Sequence, residues 1–184
     1  LWVRVCWIAC KCGADSQKIT RKIIGSVRCV SEAGRGSHES YWDKKTSAAI
    51  GLYNGSVWDQ TFQYVRPQET GNKTDVRWMA VSNGEIGLMA KGDPTFDGSV
   101  HQYPYEDLDH VRYGQKHGKL DIRPKDQVDW LIDYKQMGVG GDNSWGARPH
   151  TQYTLDPQQY SLEFLLIPFE DGTDLTQFSK TTIR

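Results

Sequence analysis

The sequence predicts an antiparallel all-β fold of the sandwich type from Gly34 onward, and three observations carry it. Asn-Gly dipeptides sit between β-prone runs, such runs recur at short spacing with turn residues between them, and helical periodicity is almost absent. The elements follow in order. Ser47 to Tyr53 and Val57 to Val65 flank Asn54-Gly55-Ser56 and predict a hairpin, because Asn and Gly accept the positive φ that a tight hairpin turn demands. Thr74 to Val81 and Glu85 to Ala90, about Asn83-Gly84, repeat the device. Pro104 to Val111 reads as helix, with a Pro near its start and Glu106 and Asp107 in the first turn, where the exposed N–H groups favour acidic side chains. Val128 to Tyr134 is a strand, and Thr151 to Leu155 and Tyr160 to Phe169 are two more, joined by Asp156-Pro157. Trp42, Trp58, Trp78 and Trp130 lie in or beside these runs and are expected in the core.

The 184 residues fit one domain or part of a larger one. A net charge of −1, from 22 basic and 23 acidic residues, argues against a nucleic-acid or acidic-membrane surface. No stretch approaches the roughly 20 apolar residues of a membrane-spanning helix. With 7 Trp and 9 Tyr against a hydrophobic fraction of only 38%, the composition suits sugar binding, since pyranose rings offer apolar C–H faces beside many hydroxyls. All 4 cysteines (Cys6, Cys10, Cys12 and Cys29) precede residue 30, which suits neither a disulfide-stapled fold nor a paired zinc site. Residues 1–33 stand apart: basic, cysteine-rich and without a strand period. They are expected to be an unmatched segment, whether a divergent strand pair, a stretch read in the wrong frame or the edge of a truncated gene. Residues 34–170 are then the β domain and 171–184 a C-terminal tail.

Residues 137–146 (MGVGGDNSWG) cannot form regular structure. Gly138, Gly140 and Gly141 permit positive φ or close backbone approach, and Asp142, Asn143 and Ser144 favour tight turns through their own side chains. Such a loop presents Trp145. The residues alone leave two roles open for that ring: a stacking face for a ligand, or a plug for the core beneath its own loop.

Three segments carry a resemblance. Residues 34–46 (GRGSHESYWDKKT), 64–78 (YVRPQETGNKTDVRW) and 132–145 (IDYKQMGVGGDNSW) closely resemble, in this order and spacing, the C-terminal, small-chain region of the large bacterial β-galactosidases of glycoside hydrolase family 2. The resemblance covers residues 34–170. It departs from the family pattern at Ser37 and Ser40, where Pro and Asn are usual, and at Asn143, where Asp is usual. It implies an antiparallel β-supersandwich (galactose-mutarotase-like), present here as a partial domain, within an enzyme that hydrolyses terminal β-D-galactose from lactose-like substrates. It also implies that Trp145 stacks on the leaving-group sugar.

Retaining glycoside hydrolysis needs two carboxyl groups about 5 Å apart. The family carries both as glutamates on a TIM-barrel domain that precedes this one, so no catalytic residue is expected here. Glu39, Asp43, Glu69, Asp75, Asp133 and Asp142 read as turn formers or solvated partners, and His38, His101, His110, His117 and His150 lack metal-ligand spacing. No metal or cofactor is expected in this chain, since the family's magnesium and sodium sites lie in other domains. The resemblance further implies that the run Arg66, Glu69, Asn72, Asp75 and Arg77 docks on the barrel through charged hydrogen bonds. The expected partner is the rest of the galactosidase polypeptide, or a large subunit, with a β-galactoside as substrate and the complete enzyme a homo-oligomer. A separate non-catalytic small subunit or a carbohydrate-binding module is the alternative, and a free-standing lectin ranks last. The expected compartment is the cytoplasm, with the periplasm or export left open.

Overall fold

The computed structural model describes residues 27–62, 64, 69–104, 107, 122–143 and 145–180. Their strands are β1 (Cys29–Gly36), β2 (Ala49–Ser56), β3 (Lys73–Ser82), β4 (Ile86–His101), β5 (Asp129–Asp133) and β6 (Glu163–Glu170). All pair antiparallel in one 6-stranded sheet of order β2-β1-β3-β4-β5, with β6 also paired to β4. The fold is all-β and sandwich-like. Successive side chains of a strand point to opposite faces, and both faces of this sheet are apolar. Met79 and Val81 of β3 join Val30, Val57, Val76, Phe96, Val100 and Trp130 on one face. Trp78 and Ala80 join Ala33 and Met89 on the other.

Strand β4 pairs with β3 along one edge and serves two neighbours along the other. Its residues Ile86–Asp93 pair with β6, and Asp97–His101 pair with β5. The change falls at Pro94, which has no N–H to give to a ladder. The β3–β4 register also shifts between Lys73 and Trp78, with Asp75 at φ 54 inside that irregularity. Asp is among the few side chains that tolerate the left-handed region.

The Asn83-Gly84 turn forms as expected. Gly84 takes φ 93, and Asn83 Oδ1 accepts hydrogen bonds from the N–H groups of Glu85 (2.9 Å) and Ile86 (3.0 Å). The Asn54-Gly55 hairpin does not. Asn54 and Gly55 lie inside β2, opposite Ser31 and Val30 of β1. A complete partner strand holds them extended, and Val57 drops into the core at 0% exposure before a 3-10 turn at Trp58–Gln60. Val57 to Val65 is therefore no strand among its described residues. The sheet also begins earlier than the residue 33/34 boundary expected from sequence, because β1 runs through it.

Thr151 to Leu155, expected as a strand, contains a 3-10 turn at Thr151–Tyr153 and finds no strand partner among the described residues. The tail after residue 170 supplies a short helix, α1 (Leu175–Phe178), capped by Asp174 Oδ1, which accepts from the N–H groups of Thr176 and Gln177. Leu175 and Phe178 pack against the Trp78 cluster. Trp78 and Trp130 are buried, but Trp42 and Trp58 are only half-buried. Of the helix expected at Pro104 to Val111, all but Pro104 and Asp107 lies outside the described residues, as do Cys6, Cys10, Cys12, His110 and His117.

Candidate functional site

The glycine loop leaves β5 at the sheet edge, and it is tied down before it turns. The Gln136 N–H donates to Asp97 Oδ2 on β4 (2.9 Å), and the Gly138 N–H donates to the carbonyl of Tyr153 (2.8 Å). The Gly140 N–H then donates to Asp43 Oδ2 (2.8 Å). Two glycines are required by what they touch. A Cβ on Gly138 would lie 2.7 Å from the Asp43 carboxyl carbon, and one on Gly140, at φ 70, would lie 2.9 Å from the carbonyl oxygen of Ala147. Gly141 (φ 105) and Gly146 (φ 87) instead meet open space, and there only the backbone conformation calls for glycine.

Beyond Gly141 the chain reverses. Asn143 Oδ1 accepts from the N–H groups of Trp145 (2.8 Å) and Ala147 (3.3 Å), an Asx turn with Trp145 at its apex. Asp142 and His150 close the base, with Oδ2 and Nε2 2.7 Å apart. Ser144 lies outside the described residues. The Trp145 side chain, 91% exposed, does not plug the core. Trp42 stands behind the loop base, with Lys135 Nζ 4.0 Å above its ring and Tyr153 packed edgewise against it at 6.0 Å.

The three segments that carried the resemblance meet in space. Ser40 and Asn72 exchange backbone and side-chain hydrogen bonds: the Ser40 N–H donates to the Asn72 carbonyl (2.7 Å), and Asn72 Nδ2 donates to the Ser40 carbonyl (2.8 Å). Glu39 is a hub that accepts from the Tyr64 hydroxyl, Thr70 Oγ1 (3.2 Å) and the Gly71 N–H (2.9 Å), with Lys44 Nζ at 3.5 Å. Burial works to raise the Glu39 carboxyl, but those donors outweigh it and hold it below its ordinary range. Asp43 joins the first segment to the third. Asp97 joins the second to the third, since its other oxygen accepts from the Asp75 N–H (3.3 Å). Burial pushes the Asp97 carboxyl up to about 6, against those two hydrogen bonds that favour its charged form.

The polar run divides. Asn72 is fully buried, and its Nδ2 donates to the Ser40 carbonyl within this domain. Asp75 is half-buried and binds Arg35 Nε (2.7 Å) and Lys45 Nζ (3.0 Å), which hold its carboxyl below the usual range against the effect of burial. Glu69 is half-buried, Arg77 is exposed, and Arg66 lies outside the described residues. Sequence reasoning missed Asp43 and Asp97 as loop anchors. Asp43 carried a weak signal in its place within the first resembling segment, and Asp97 carried none, since its partners lie 22 and 39 residues away. Among the described residues no group of three or more His, Cys, Asp or Glu could hold a metal ion, and no helix is long and apolar enough to cross a membrane.

Fold and loop together define an antiparallel β domain that carries Trp145, 91% exposed, on a glycine-rich loop. Residues 22–166 match the family described as beta galactosidase small chain, and the chain belongs to that family. It is 44% identical to the β-galactosidase of Priestia megaterium over 137 residues, which is 73% of this chain and 13% of that protein. It is 33% identical to the β-galactosidase of Streptococcus thermophilus over 139 residues (73% and 13%), and 33% identical to that of Lactobacillus delbrueckii subsp. bulgaricus over 132 residues (68% and 12%). The chain thus spans about an eighth of the length of these curated relatives.

Proposed function

We propose that this chain forms the C-terminal wall of the active site of a retaining β-galactosidase. The whole enzyme hydrolyses terminal non-reducing β-D-galactose residues, and Trp145 stacks on the departing sugar. One observation carries the reading: Trp145 is 91% exposed on a loop fastened at Gln136, Gly138 and Gly140. An indole held in water by a fixed backbone is ready to cover the apolar face of a pyranose, and such stacking contributes on the order of 1 kcal/mol beyond area burial. The two catalytic glutamates belong to the barrel domain of the remaining polypeptide, so this chain by itself does not hydrolyse glycosides, and the magnesium and sodium sites lie elsewhere in the enzyme. The Arg66–Arg77 run docks on that domain, with Arg77 facing outward and Asn72 and Asp75 stiffening it from within. The assembled enzyme is a cytoplasmic homo-oligomer.

The test is Trp145→Ala in a full-length galactosidase carrying residues 27–180 in place of its own matching segment. Galactosyl transfer to glucose should weaken about five-fold or more, corresponding to the loss of roughly 1 kcal/mol of stacking. Unchanged affinity for glucose as acceptor would remove the claim. The small-chain description of the matched family favours a second reading, in which this domain is a separate subunit that joins a catalytic large chain. Purification of the 184-residue chain in complex with such a chain would support it.

A further inference from the structure

Asp142 and His150 hydrogen-bond at 2.7 Å while their side chains stay 63% and 64% exposed. An exposed pair of this kind contributes little to stability, and the Asx turn of Asn143 already sets the reversal between them. Among the described residues, Asp142 Oδ1 and His150 Nδ1 have no hydrogen-bond partner, so the pair offers water one acceptor and one further ring nitrogen. Asp142 shares the glycine loop with the exposed indole. Asp142 is three residues from Trp145, so their Cα atoms lie within about 11 Å, at 3.8 Å per residue. A stacking ring alone grips only the C–H face of a sugar. Hydroxyls at the rim of that face can donate, and the free oxygen of the Asp142 carboxylate is an acceptor for one of them.

Resting on the stacking reading of Trp145, we infer that the Asp142–His150 pair is a specificity-determining element of the same subsite and hydrogen-bonds one hydroxyl of the aglycone pyranose. The ring sets affinity for any pyranose, and the pair selects among pyranoses by the position of a hydroxyl.

The test measures galactosyl transfer to glucose, to each monodeoxyglucose and to methanol, in a full-length galactosidase carrying residues 27–180 in place of its own segment. The variants are Asp142→Ala, His150→Ala, His150→Gln and Trp145→Ala. Transfer to glucose should fall about five-fold in Asp142→Ala and His150→Ala, in line with one net hydrogen bond, while transfer to methanol is unchanged. One monodeoxyglucose should be a poor acceptor for the parent and lose nothing further in these two variants. The inference is overturned if every pyranose acceptor falls equally and His150→Gln restores them all, since the pair is then only a clasp for the loop. It is equally overturned if Trp145→Ala weakens glucose transfer while the Asp142 and His150 variants do not. If Trp145→Ala also leaves glucose transfer intact, the stacking reading fails first.

Discussion

Asp43 Oδ2 accepts the Gly140 N–H at 2.8 Å across 97 residues of sequence. This single carboxylate fastens the glycine loop to the segment between β1 and β2, and the same carboxyl crowds Gly138 from the other side. Replacing it by Asp43→Ala leaves the Gly140 N–H without its acceptor and should destabilise the loop by about 1–2 kcal/mol. Hydrogen exchange at the Gly140 amide checks it, with protection expected to fall in the variant. Equal protection in both proteins would mean that the tether does not hold the loop.

Gly140→Ala should be more damaging than Gly141→Ala. Both glycines have positive φ, but only at Gly140 would the added methyl press a backbone carbonyl, 2.9 Å away. The left-handed conformation costs roughly 1–2 kcal/mol for each alanine, and the clash adds to it at Gly140 alone. Thermal unfolding of the two variants side by side decides it.

Asp97 predicts a pH dependence of defined sign. Its carboxyl titrates near 6 in the folded chain against an ordinary value of 3.8, because it is buried. A raised folded value means that its contribution to stability is fully present below about pH 4 and is lost as pH rises through about 6. The stability of the parent relative to Asp97→Asn should therefore decline between pH 4 and pH 7, by an amount on the order of 3 kcal/mol. Denaturant titrations of both proteins across that range measure the difference. A flat difference would show that the carboxyl titrates normally.

Lys73 and Glu32 form a buried pair, with side chains 2% and 3% exposed and charged atoms 3.7 Å apart. Lys73 Nζ also donates to the Ser37 carbonyl at 2.6 Å. Lys73→Met leaves Glu32 buried beside no cation and should cost about 3–5 kcal/mol, whereas Lys73→Met with Glu32→Leu should recover most of that loss. A double-mutant cycle by chemical unfolding checks it, and additive losses would show the pair to be uncoupled.

The Asn83-Gly84 turn, β5, β6 and the glycine loop were all legible in the sequence because their causes are local. A turn residue accepts its own neighbours' N–H groups, and a positive φ favours glycine wherever the chain lies. The composition and the three resembling segments were enough to place the chain among the galactosidases and to single out Trp145. The tertiary structure alone decided the rest. Asn54-Gly55 carries the same turn signal as Asn83-Gly84, yet it is extended, since β1 pairs with it and a full ladder outweighs a two-residue preference. Trp145 could have filled the core or faced water, and tethers from Tyr153, Asp97 and Asp43 hold its loop away from the core. Those carboxylates are ordinary polar residues in the sequence. They become anchors because folding brings them, over 39 and 97 residues of chain, to N–H groups that the loop leaves unpaired.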